Sequence, residues 1–87
     1  MELFYFTAPW CVPCRNFGPV MDLVTSVPVF KVNVDDNPTK ASEMGVMSIP
    51  TVVLTVGSRE VSRFSGARSL EYVNDFVTLY TGMRSAS

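Results

Sequence analysis

Ala8-Pro9-Trp10-Cys11-Val12-Pro13-Cys14 is the stretch on which the reading of this 87-residue sequence turns. It follows Glu2–Thr7 (ELFYFT), which is rich in aromatic residues and apolar on both parities, as a central strand covered on both faces is. It precedes a helical pattern in which Phe17, Val20 or Met21, and Val24 recur at i, i+3/4 and i+7. The two cysteines therefore fall at a strand-to-helix junction. Pro19 lies inside the helical pattern and is expected to bend it, because it offers no N–H to the Arg15 carbonyl.

Downstream, Val29–Val34 reads as a second strand, with Phe30, Val32 and Val34 on one face and Lys31 and Asn33 on the other. Asn37-Pro38 has the form of an N-cap followed by proline at the first helical position, and Gly45 is a C-terminal stop. Thr51–Val56 is strongly β-forming, and Gly57-Ser58-Arg59 turns it into a hairpin with Glu60–Ser65. Ser69 caps a last helix in which Leu70, Val73, Phe76 or Val77, and Tyr80 share a face. The order β-α-β-α-β-β-α implies an α/β fold: a four-stranded mixed sheet with helices on both faces. The first two strands should be parallel and the last two antiparallel. One domain is expected over residues 1–84, with residues 85–87 a flexible tail.

Composition narrows the function classes. A hydrophobic fraction of 47% with 11% aromatic residues is that of a compact globule. Apolar runs are far shorter than the roughly 20 residues of a membrane span. Glu2 and the short apolar stretch Leu3–Phe6 do not make a secretory signal, so a reducing, cytoplasmic setting is expected. Net charge is −1 with no basic stripe, which argues against nucleic-acid and membrane partners. Histidine is absent, and with it the commonest general base and metal ligand.

Cys11 and Cys14 are the only cysteines. Two cysteines placed at random on this chain would fall three apart roughly once in forty-five placements, so the spacing carries information. A structural zinc site would lack ligands, although a metal shared across a dimer stays open. An inert pair fits poorly, since so short a loop constrains the unfolded chain weakly. Redox chemistry has the strongest physical case. Cys11 sits at the helix N-terminus, where unpaired N–H groups and the positive dipole end stabilise a thiolate and lower its pKa. Cys14, one turn in and more shielded, can resolve the mixed disulfide that Cys11 forms. Pro13 stiffens the loop, and Trp10 and Val12 give it an apolar rim.

With these residues in view, the chain resembles the thioredoxin family over nearly its whole length. The resemblance rests on Ala8–Cys14, Pro19, Lys31-Val32-Asn33-Val34-Asp35, Ile49-Pro50-Thr51 and Gly66-Ala67. It implies a minimal, glutaredoxin-sized thioredoxin-like fold without the usual leading strand and helix. It implies a cis bond at Ile49-Pro50 beside the cysteines, an Ile49 backbone that pairs with an extended substrate, and Gly66 on the substrate-facing rim. Taken alone, Pro50 reads as an ordinary residue opening a strand, and Gly66 as a turn glycine. The implied activity is protein disulfide reduction by a monomeric carrier with no bound cofactor. An NADPH-dependent flavoprotein reductase would supply electrons, and disulfide-containing proteins such as a ribonucleotide reductase would be clients.

Two positions depart from the family pattern. Tyr5 stands where thioredoxins usually carry a buried acid, which leaves Lys31 without its family partner. Val12 stands where glycine is typical. Phe6-Thr7-Ala8-Pro9 also resembles the strand end of glutaredoxins, making a glutathione-dependent oxidoreductase the nearest alternative. Ala8 replaces the lysine that holds glutathione there, and Gly66-Ala67-Arg68-Ser69 replaces a glycine pair and acid. An alternative of another class is a redox-independent binding module, with Trp10, Val12 and Ile49 as an apolar patch. Among the remaining residues, Asp35 and Asp36 read as charge compensation at a helix N-terminus, and the five methionines as fillers of core gaps.

Overall fold

The computed structural model describes residues 1–86, with side chains described for 1–81. Its elements are β1 (Glu2–Thr7), α1 (Val12–Asp22), β2 (Val29–Asn33), α2 (Pro38–Glu43), β3 (Thr51–Val56), β4 (Arg59–Ser65) and α3 (Leu70–Ala86). They form one four-stranded sheet in the order β2-β1-β3-β4. β1 runs parallel to β2 and antiparallel to β3, and β3 pairs antiparallel with β4. The mixed sheet read from the sequence is the architecture found. The tail expected at 85–87 falls where side chains are not described, and Ser87 lies outside the described residues.

Alternation along β1 assigns the two faces. Leu3 and Tyr5 join Val52, Leu54 and Phe64 in a core closed by Phe17 and Met21 of α1 and Val73 and Val77 of α3. On the opposite face, Phe6, Val32 and Val53 pack with Ala41 of α2. β1 and β3 hold the middle of the sheet, which is why their residues are apolar on both parities. Phe30 is half exposed because β2 is an edge strand. It stacks on Phe4 at 5.5 Å between ring centroids, and the Lys40 ammonium lies 4.6 Å from the Phe4 ring.

Local signals set the helix ends. Asn37 Oδ1 accepts from the Lys40 N–H at 3.2 Å, and Ser69 Oγ accepts from the Tyr72 N–H at 3.1 Å. At the end of α2, Val46 N–H donates to the Ala41 carbonyl and Gly45 N–H to the Ser42 carbonyl, at 2.9 and 3.1 Å. That is a Schellman cap, and Gly45 takes the left-handed φ of +63° it requires.

Two boundaries differ from expectation. β2 closes at Asn33, one residue early, although the Val34 N–H still reaches the Thr7 carbonyl at 2.9 Å. The hairpin turn is Gly57-Ser58 alone, since Arg59 already pairs with Val56. Two residues suffice for a tight hairpin. The extra length goes instead into a bulge at Val61, between the pairs Leu54–Ser62 and Thr55–Glu60. Among the described residues, no helix is long and apolar enough to cross a membrane.

Candidate active site

Cys11 is the N-cap of α1, with extended backbone at φ −84° and ψ 111°. Its Sγ accepts from the Cys14 N–H at 3.3 Å, so the sulfur occupies the place of a capping oxygen. Val12 and Pro13 fill the first two helical positions, where a missing N–H costs nothing. No acidic residue stands in this first turn, so nothing there opposes negative charge on the sulfur. Arg15 secures the loop: its N–H donates to the Cys11 carbonyl at 3.2 Å and its Nε to the Pro9 carbonyl at 3.0 Å.

Cys11 and Cys14 are joined in a disulfide, with Cα atoms 5.2 Å apart. The contrast expected between an open first sulfur and a shielded second is small in this state. Cys11 is 6% exposed and Cys14 3%, because Ala8, Val34 and Ile49 pack around the bridge.

The Ile49-Pro50 peptide is cis, and Cys11 Sγ lies 3.9 Å from the Ile49 carbonyl oxygen. The loop is pinned at this end by β4. Gly66, at φ +88°, donates its N–H to the Pro50 carbonyl at 2.9 Å. Thr51 Oγ1 donates to the Ser48 carbonyl at 2.7 Å and meets Ser65 Oγ at 3.0 Å. The structure thus places Ile49 against the cysteine pair and ties Gly66 to Pro50, the next residue along, while Val12 and Pro13 face solvent.

Trp10 is 63% exposed, and its Nε1 donates to Asp35 Oδ2 at 3.0 Å. Asp35 is thus the acceptor that orients the indole, rather than only a charge ahead of α2. The two residues are 25 positions apart, and only the β1–β2 pairing brings them together. Next to Trp10 runs a groove of about 360 Å³ lined by Val34, Ala41, Val46, Met47, Ser48 and Ile49. Met47 corrects the reading of the methionines as core fillers: it is 98% exposed on the groove rim. Met21, by contrast, is buried in the core.

Behind Cys14, the buried Tyr5 hydroxyl donates to the Cys14 carbonyl at 3.1 Å. Burial pushes the phenol above its ordinary pKa; hydrogen bonding with Thr7 works the other way, and the Asp22 charge adds to the rise. Tyr5 and Cys14 share a solvent-open hollow with Thr7, Asp22 and Lys31. Lys31 is exposed there, as a strand lysine at an edge is. Among the described residues, no three Cys, Asp or Glu side chains converge in a way that would hold a metal ion.

This arrangement has relatives. The family model described as Thioredoxin matches residues 1–79. The chain is 45% identical over 67 residues to a thioredoxin of Porphyra purpurea, covering 71% of this chain and 63% of that relative. It is 43% identical over 72 residues to a thioredoxin of Chlamydia caviae, covering 78% and 71%. Against the first of these, the chain spans less than two thirds of the relative's length. Among solved structures, a mutant thioredoxin from Halobacterium salinarum superposes with a TM-score of 0.86 at 34% identity, over 92% of this chain and 74% of that one. Thioredoxin 1 from Thermosipho africanus gives 0.86 at 22% identity over 98% and 99%, a likeness of fold alone. A cysteine pair capping α1, a cis-proline loop against the first sulfur, and a matching family model over residues 1–79 lead to one assignment: the chain belongs to the thioredoxin family.

Proposed function

We propose that the protein is a protein disulfide reductase that cycles between a Cys11/Cys14 dithiol and the Cys11–Cys14 disulfide. The observation that carries this reading is the capped sulfur. Cys11 Sγ already accepts an N–H at the head of α1, beside a disulfide partner one turn away. Held there as thiolate, Cys11 attacks a client disulfide and forms a mixed disulfide, releasing one client thiolate. Cys14 then attacks Cys11 Sγ and releases the second client thiolate. Two electrons pass to the client, which takes up two protons, and the bridge closes. A separate dithiol donor must reopen it.

On this reading Trp10, Val12, Pro13, Ile49, Pro50 and Gly66 form the client-binding rim around Cys11. Family membership supports an NADPH-dependent flavoprotein reductase as donor and disulfide-containing proteins as clients, a ribonucleotide reductase among them. The work is assigned to a reducing, cytoplasmic setting and to residues 1–84 acting as one domain. A protein client is favoured over glutathione by the groove beside Trp10. Its lining residues include no lysine or arginine to meet the carboxylates of the tripeptide.

The test is catalysed reduction of a disulfide-bonded model protein by dithiothreitol. Acceleration that disappears in Cys11→Ser supports the proposal. No acceleration, or full activity in Cys11→Ser, overturns it. Partner binding that survives replacement of both cysteines by serine would instead support the binding-module alternative.

A further inference from the structure

β4 holds both ends of the segment that carries Met47 and Ile49. Its far end fixes the cis-proline through Gly66 and Ser65, as described above. At the near end, the Arg63 guanidinium reaches the last turn of α2. Nη2 donates to the Met44 carbonyl at 2.6 Å and Nη1 to the Gly45 carbonyl at 3.3 Å. These carbonyls lie at the C-terminus of α2, where a cation is electrostatically favourable. The remaining edge of the guanidinium is fixed by Glu60, with Nε to Oε2 at 2.7 Å and Nη2 to Oε1 at 2.6 Å. The Arg63 hydrogen bond also holds the Glu60 carboxyl below its usual range.

Register explains why this contact exists. Arg63 pairs with Val53, and Val53 belongs to the core on the α2 side of the sheet. Its side chain therefore crosses toward the end of α2. Three residues separate Gly45 from Ile49, whose carbonyl lies against Cys11 Sγ. Between the two clamps, Val46 packs into the α2-side core, while Met47 and Ser48 are exposed.

We propose that Arg63, fixed by Glu60, is a positioning residue for client binding, setting the segment from Met44 to Ile49, whose last four residues line the groove beside Trp10. This rests on the disulfide-reductase reading. Arg63 touches neither sulfur, so its influence falls on how a protein client seats and not on the exchange chemistry. A planar guanidinium bonds a carboxylate and two carbonyls at once, which an ammonium cannot match in the same geometry.

The experiment compares wild type with Arg63→Met, Arg63→Lys and Glu60→Gln, each measured well below its melting temperature. Arg63→Met should raise KM for a disulfide-bonded protein client about threefold to tenfold, the scale of losing hydrogen bonds to a charged group at a partly exposed site. The rate at which dithiothreitol opens the Cys11–Cys14 bridge should change less than about twofold. Arg63→Lys should recover part of the loss, and Glu60→Gln should fall between. Amide exchange at Gly45 and Val46, whose N–H groups donate to the Ser42 and Ala41 carbonyls, should quicken about tenfold in Arg63→Met, because that end of the segment is released. An unchanged KM in the folded variants overturns the inference, as does an equal loss in the client and dithiothreitol reactions. Where Arg63→Met does not fold, Arg63→Lys and Glu60→Gln decide the comparison. Absence of activity in the wild type would defeat the reading of function; the exchange rates judge the clamp on their own.

Discussion

The Tyr5 hydroxyl donates to the Cys14 carbonyl at 3.1 Å, so the middle of the sheet grips the helix at the second cysteine. Tyr5 also packs edge-on against Phe17, with ring centroids 5.6 Å apart. The phenol does two things at once: it fills the core beneath α1 and fixes the backbone of a residue whose sulfur must stay near Cys11.

Tyr5→Phe keeps the packing and deletes the donor. A typical buried hydrogen bond contributes about 0.5–1.5 kcal/mol, and near this chain length each kcal/mol moves Tm by about 4–8 °C. The melting temperature should therefore fall by several degrees, measured by calorimetry. Disulfide closure should weaken as well, since Cys14 is held less firmly. A tenfold drop in the closure constant would read as a rise of about 30 mV in reduction potential.

The same phenol makes stability sensitive to alkali. Its pKa is raised in the folded state, so the fold binds this proton more tightly than the unfolded chain does. The associated stabilisation is complete below the ordinary value of 10.0 and is lost as pH rises through the higher folded value. Denaturant melts between neutral pH and pH above 10 should show this decline in the wild type. Tyr5→Phe should lack it.

The order of attack gives a third expectation. Cys11 is the N-cap of α1, whereas Cys14 lies one turn in with its carbonyl held by Tyr5. Alkylation at neutral pH should modify Cys11 faster than Cys14, because the helix N-terminus stabilises its thiolate. Cys14→Ser should accumulate mixed disulfides at Cys11, visible by mass spectrometry under non-reducing conditions. Equal labelling of the two thiols would contradict the assigned roles.

How far the sequence could be read depends on the range of the signal. The fold was legible because its signals are local: two-sided apolar strands at Glu2–Thr7 and Thr51–Val56, and caps at Asn37 and Ser69. The cysteine spacing placed the sulfurs on a helix head for the same reason. The cis form of Ile49-Pro50 was reachable only through family resemblance. The Trp10–Asp35 and Tyr5–Cys14 bonds were not legible, because each pairs polar atoms across different elements. Met47 was misread because residue type favours burial, whereas its loop turns it outward. The hairpin boundary slipped because a bulge at Val61 and a longer turn consume the same extra residue.

Trp10 is the only tryptophan, so its tie to Asp35 can be followed directly. Asp35→Ala removes the acceptor from an exposed indole and should change stability by no more than about 0.5 kcal/mol. The ring gains freedom, and fluorescence anisotropy at position 10 should fall. Asp35→Asn retains an acceptor oxygen and should preserve most of the anisotropy. Client KM should rise in Asp35→Ala if the oriented indole forms part of the rim.

Met47 tests whether the groove selects its clients by apolar contact. At 98% exposure its side chain adds little to the core, so Met47→Glu should alter stability by less than about 0.5 kcal/mol. Its effect should appear at the rim, where Trp10, Val46 and Ile49 carry no charge for a carboxylate to pair with. A docking client would have to desolvate the new carboxylate or seat elsewhere, either of which weakens binding. KM for a protein client should rise several-fold in Met47→Glu, while opening of the bridge by dithiothreitol stays within about twofold. Met47→Leu keeps the apolar surface and should bind as the wild type does. A client that binds Met47→Glu and wild type equally would show that it seats away from this groove.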